Sequence, residues 1–204
     1  MKTAITACAV LITALGFSTS EASLITSSGD AALLGATVDD FSSYAVDTNP
    51  ASVSDGIFTM TTATPSTTFL SVRDSFNGSY GIVGRSVVDY NGVGLNISFA
   101  SPVSAFGIHL GAGDVDEDWI LEAFNPAGTS LGSDFITGTV ANNASGFFIG
   151  WKDVSIGSVT LLPSIGDVGI FDNLTYAVPE PATFGLMSIA GGALFFLRRR
   201  FRRP

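Results

Sequence analysis

Cysteine is almost missing from this 204-residue chain: the one present, Cys8, lies in an apolar run near the N-terminus. Met1-Lys2 is a short basic start, and residues 4–17 are apolar apart from small threonines. Ser20-Glu21-Ala22 places small residues at the −3 and −1 positions of a signal-peptidase cut between Ala22 and Ser23. Residues 1–22 therefore read as a signal peptide, and the mature chain keeps no cysteine. Disulfides, thiol catalysis and thiolate metal sites are excluded, so the exported chain must hold its fold with an ordinary core.

Histidine is equally scarce. His109 stands alone, on the strand face opposite Phe106 and Ile108, and one histidine without a cysteine makes a poor transition-metal site. Serine and aspartate are abundant, which leaves a Ser-His-Asp arrangement open. No Gly-x-Ser-x-Gly elbow accompanies it. Glutamate is thin too. Between residues 23 and 177 only Glu117 and Glu122 remain, and no pair of carboxylates is singled out for glycoside hydrolysis.

Basic residues number nine against eighteen acids, and six of the nine sit at the two ends. Residues 23–177 keep three, Arg73, Arg85 and Lys152, against sixteen acids, a net charge of −13. Such a surface repels nucleic acid and anionic lipid and favours solubility.

What is present in that stretch is strand pattern. Leu95, Ile97 and Phe99 alternate with polar residues, as do Phe106, Ile108 and Leu110, then Phe147, Ile149 and Trp151, and Ile170, Leu174 and Tyr176. Further strands are expected at 56–62, 67–72, 80–84, 119–124, 133–137 and 154–162, with a single helical turn near 30–34. Asn77-Gly78, Asn91-Gly92, Asn125-Pro126-Ala127-Gly128 and Asn142-Asn143 supply turns. The fold expected for 23–177 is all-β: two packed antiparallel sheets, a β-sandwich or jelly roll. Residues 27–50 are the least regular and are expected to wrap the edge. No linker separates Tyr176 from the C-terminal segment.

Two features resemble sites. Asp114, Asp116 and Asp118 fall at alternate positions, as in loops that turn carboxylates toward calcium. The EF-hand pattern fails, because Trp119 stands where glycine is needed and Asn125 where glutamate is needed. A solvated acidic loop is the simpler reading of the same residues, and no other cofactor is expected. Trp119, Trp151, Tyr44, Tyr80, Tyr90 and Tyr176 could form a sugar-stacking face, or fill a core.

The C-terminus is the most informative segment. Val178-Pro179-Glu180-Pro181 precedes sixteen uncharged residues, 182–197, and then Arg198, Arg199, Arg200, Arg202 and Arg203. As a helix, 182–197 would span about 24 Å, short of a ~30 Å hydrocarbon core unless the arginines snorkel or the bilayer thins. The arginines stop transfer and stay cytoplasmic. The prolines bar the helix from starting earlier and keep the motif extended. A plain stop-transfer anchor has the same apolar and basic parts. A GPI signal would lack the arginine end.

The order of motif, apolar helix and basic end (178–204) resembles the PEP-CTERM tail of exosortase substrates in Gram-negative bacteria. Pro102-Val103-Ser104-Ala105-Phe106-Gly107, Leu121-Glu122-Ala123-Phe124 and the 169–176 run resemble a recurrent sandwich ectodomain of the same proteins. The resemblance implies export by the Sec translocon, trimming by signal peptidase, transient anchoring in the inner membrane, and cleavage near the motif by an exosortase. It also implies association with exopolysaccharide. The protein is expected to be a non-enzymatic surface or matrix component. The alternatives are a carbohydrate-binding module and, last, a secreted hydrolase.

Overall fold

The computed structural model describes residues 22–64, 70–112, 118–136, 146–166 and 168–179. They form β1 (Ser23–Ile25), a 3₁₀ helix (Ala31–Leu33), β2 (Thr37–Asp39), β3 (Val53–Ser54), β4 (Phe58–Thr62), β5 (Ser71–Arg73) and β6 (Ser86–Asp89). Next come β7 (Leu95–Ala112), β8 (Trp119–Phe124), β9 (Ser130–Ile136), β10 (Phe147–Pro163) and β11 (Gly169–Ala177). Every strand pairing is antiparallel. The all-β, antiparallel reading of the sequence holds.

The layers differ from the expected form in being joined. β7 and β10 run 18 and 17 residues, each fusing two of the short strands expected from the pattern. Their first and last portions pair with different neighbours. Residues 95–99 of β7 lie between β4 and the end of β10, which continues to β8 and β9. Residues 105–112 lie between β11 and the start of β10, with β6 beyond β11 and β1 beyond β10. The change of partners falls at register shifts around Ile156, opposite Val103. Pro102, which has no N–H to give a ladder, is accommodated at this irregularity.

The two halves meet through aromatic side chains. Phe58 of β4 is 6.2 Å from Tyr176 of β11, and Trp119 of β8 stands edge-on to Phe171 of β11 at 5.8 Å. Each such pair contributes about 0.5–1.5 kcal/mol beyond the area it buries. β8 shows the alternation that the sequence announced, with Trp119, Leu121 and Ala123 inward. β6 and most of β11 are buried on both faces. A patch around Ile25, Leu33 and Ala105 covers one part of the outer side, and one around Ile82, Val88 and Ile170 covers another. A strand covered twice loses its period of two, which is why Ser86–Asp89 gives no signal in the sequence.

Residues 80–84, expected as a strand, are a turn. Tyr80, Gly81 and Gly84 all have left-handed backbone, with φ of 55°, 71° and 97°. That conformation breaks an extended run. The helical turn near 30–34 is present, and Asp30 caps it by accepting from the Ala32 N–H at 2.8 Å. As expected, residues 27–50 lie against the sheet, with β2 added beside β11. Among the described residues no helix is long and apolar enough to cross a membrane. The expected membrane segment at 182–197 lies outside them, as do Asp114 and Asp116.

Candidate functional site at the end of the last strand

β11 carries the chain toward the Pro-Glu-Pro motif, and several contacts fix its course. Asp172 faces His109 across the ladder, after which the register shifts and Asn173 turns left-handed at φ 51°. The Asp172 carboxylate holds this bulge. It accepts from the Asn173 N–H at 2.7 Å, the Asn173 amide at 2.8 Å and the Val83 N–H at 3.0 Å. Asp172 is fully buried, and burial pushes its carboxyl above the usual range. Beyond the bulge, Leu174, Thr175 and Tyr176 gain β2 on the second side, opposite Asp39, Val38 and Thr37.

Tyr176 is the last core residue. Its ring packs on Phe58 and Phe99, and its hydroxyl donates to Asp55 Oδ2 at 3.3 Å. Beside it, the Tyr44 hydroxyl donates to Asp39 Oδ2 at 3.4 Å. The carboxylates also hold backbone: Asp39 accepts from the Phe41 N–H, and Asp55 from the Ile57 and Phe58 N–H groups. Burial raises the Asp39 carboxyl, and the Asp55 charge adds to the effect. Burial, then the charge of Asp55, pushes the Tyr176 phenol up to about 12.

A phenol that ionises later in the folded state than in the unfolded state gives stability below its ordinary pKa. That stability is lost as pH rises from about 10 to about 12. Alkaline unfolding followed by circular dichroism should therefore steepen in that window. Tyr176→Phe should flatten this part of the curve, and an unchanged slope would contradict the assignment.

The strand then ends abruptly. The Ala177 carbonyl accepts from Ser104 Oγ at 3.1 Å, and Ala177 pairs with Ala105. The next residues, Val178 and Pro179, are exposed. Ala105 pairs in turn with Lys152, and Lys152 with Ser23. Ser23, Lys152, Ala105 and Ala177 thus form one row across four strands. Three strand spacings separate its ends, roughly 14 Å. β1 starts at Ser23, the residue after the expected signal-peptide cut, while Ala22 is exposed. Both expected processing points flank the same end of the sheet.

The family model of the PEP-CTERM protein-sorting motif matches residues 177–203. The chain carries a PEP-CTERM protein-sorting motif. Its motif match begins at Ala177, the residue on which β11 ends, so folded strand and sorting signal abut with no spacer. Ala177, Val178 and Pro179 are the part of the match that the structure describes. Glu180, Pro181, Arg198, Arg199, Arg200, Arg202 and Arg203 lie outside it.

The other residues singled out in the sequence are scattered. Asp118 is exposed, and its backbone N–H and carbonyl bond to the Ser164 hydroxyl and N–H. Among the described residues no three acidic, histidine or cysteine side chains form a metal-binding group. His109 Nε2 is buried with no hydrogen-bond partner, while the carboxylate opposite it is engaged by Val83 and Asn173.

The aromatic set is mainly core. Trp119, Trp151 and Tyr176 are 0%, 6% and 2% exposed, which removes them from any sugar-stacking face. Tyr44 and Tyr80 are half-buried. Tyr90 alone of the six is exposed, at 47%, with the Arg73 guanidinium 5.9 Å from its ring centroid and Phe76 at 6.5 Å. The Asp39–Tyr44 and Asp55–Tyr176 pairs are not legible in the sequence. Their members are 5 and 121 positions apart: a turn in which the Tyr44 N–H donates to the Phe41 carbonyl closes the first pair, and tertiary packing brings the second together.

Solved structures similar to this chain include a family 6 carbohydrate-binding module, at 18% identity over 56% of this chain and 85% of that one, with a TM-score of 0.35. An arabinose-bound α-L-arabinofuranosidase is similar at 13% identity and a TM-score of 0.42; the match covers 75% of this chain but 28% of the enzyme. A third is the module CsCBM6-3 of Clostridium stercorarium in complex with cellobiose, at 12% identity over 76% of this chain and 93% of that one, with a TM-score of 0.34. Likeness at this level says nothing about ligands. No curated protein matches the chain.

Proposed function

We propose that this protein is an exported, non-enzymatic component of the cell surface or extracellular matrix, released from a temporary inner-membrane anchor by an exosortase. The reading rests on one observation: the sorting motif match begins at Ala177, where the last strand ends, and the next residues, Val178 and Pro179, are exposed. In this reading residues 1–22 direct export through the Sec translocon and are removed by signal peptidase. Residues 182–197 then hold the domain at the membrane, and Arg198 to Arg203 keep the end cytoplasmic. The buried carboxylates have structural work, holding the bulge at Asn173 and the turns after Asp39 and Asp55. This supports a role without catalysis. Loss of the arginine end leaves a strongly acidic domain suited to a hydrated polysaccharide matrix.

Mass spectrometry of the protein from cells with and without the exosortase tests the proposal. The C-terminal arginines should be missing only where the enzyme is present. A full-length C-terminus in both would overturn it.

A second reading, glycan binding by the ectodomain, is favoured by the exposed Tyr90 ring beside Arg73 and Phe76. Planar rings stack on the apolar faces of sugars. A glycan screen of the mature protein should then give a ligand whose affinity falls at least tenfold in Tyr90→Ala. Binding that survives this substitution would place the site elsewhere.

A further inference from the structure

The end of the sheet from which the tail departs carries exposed apolar side chains. Leu34 is 90% exposed, Val38 54% and Val178 54%. Strand pairing brings them to one place. Val38 lies opposite Thr175, and Thr37 opposite Tyr176, so the turn at Leu34 and Gly35 falls beside the end of β11. Leu33, the residue before Leu34, packs into the patch that also holds Ala105 and Ala177, which fixes the turn in position. In the proposed function the membrane segment starts at residue 182. Only Val178, Pro179, Glu180 and Pro181 lie between it and the folded strand. Four extended residues span at most about 14 Å. The polar layer of a bilayer is itself about 5–8 Å thick on each side. A folded domain on so short a tether is forced against it.

We propose that, before processing, this end of the domain docks on the lipid headgroup layer, with Leu34 and Val38 inserted as apolar contacts. This deepens the preceding proposal and rests on its membrane-inserted tail. The net charge of the domain, −13, opposes adsorption to anionic lipid, so the contact depends on the tether. Of the two acids four residues from the turn, Asp30 is paired with Lys152 at 3.6 Å, and Asp39 holds the Phe41 N–H and the Tyr44 hydroxyl. Cutting at the motif removes the tether and the contact together, and the acidic domain leaves the surface.

The chain suits a labelling test, because replacing Cys8 by serine leaves no native thiol. Full-length protein with Leu34→Cys or Val38→Cys is labelled with an environment-sensitive fluorophore. It is then reconstituted in vesicles of phosphatidylethanolamine and phosphatidylglycerol carrying nitroxide lipids. The control position is Asn91, which is exposed and lies past β6 at the far end, about eight residues or 26 Å along β11 from Ala177. Emission at 34 and 38 should fall at least twofold with nitroxide lipid, and at 91 it should not change. Protein that floats with the vesicles yet shows no quenching at 34 and 38 overturns the docking proposal alone. Shielding that appears only when exosortase is added also overturns it, in favour of a protein partner. Protein that does not float overturns the anchored tail, and the docking proposal with it.

Discussion

Protein carrying Glu180→Ala is expected to reach the membrane and stay there at full length. On the proposed function, insertion would depend on the uncharged run 182–197 and on the arginines after it, none of which the substitution touches. The flanking Pro179 and Pro181, which disfavour helix by their fixed φ and missing N–H, are left in place. What is lost is one carboxylate in the recognised motif. The released form should fall from the main species to background, while the membrane-bound form accumulates. Fractionation and intact-mass measurement read both. A normal yield of processed protein would show that the carboxylate is not part of recognition. The starting point favours a clean result, since β11 is held through Ala177 by Ser104, β2 and β7, so residue 180 does not bear on folding.

Trp119→Ala is expected to produce the largest loss of stability. The ring is fully buried and meets Phe171 edge-on, with the planes at 87°. It also lies against Gly169, where a Cβ would come within 2.8 Å of the indole. Truncating a buried tryptophan costs about 3–5 kcal/mol. Domains of this size have only about 5–15 kcal/mol in all. At roughly 2–4 °C per kcal/mol, the melting temperature should fall on the order of 10 °C. The indole Nε1 has no hydrogen-bond partner, so the loss is one of packing. Tyr90→Ala, at an exposed ring, should shift the melting temperature by about 2 °C or less. Equal effects at the two positions would mean that the assignment of core and surface is wrong.

The contrast between these two aromatics shows where sequence reasoning stops. Trp119 and Tyr90 are equal candidates for a sugar-stacking face by composition, because hydrophobicity gives the same score to a ring inside and a ring outside. Trp119 alternates with Leu121 and Ala123 along β8, a pattern that points to burial, and the structure bears it out. β6 has no such pattern, since layers on both sides bury all four of its residues. The turn at 80–84 reads as a strand because Tyr80, Ile82 and Val83 have strand-forming side chains. The left-handed backbone at Tyr80, Gly81 and Gly84 overrides them.

Sequence by itself determined the sorting motif and the class of fold. Motif, apolar run and arginines are contiguous, so the match to them needs no coordinates. Alternation and turn residues suffice for antiparallel strands, because the pleat has a period of two. Only tertiary structure decided that β7 and β10 are single strands shared by both layers, and that Asp55 meets Tyr176 across 121 residues. It alone decided that Ser23 and Ala177 close one row at the same end of the sheet. Strand order and register rest on hydrogen bonds between segments far apart in the chain, and no local pattern encodes which segments will pair.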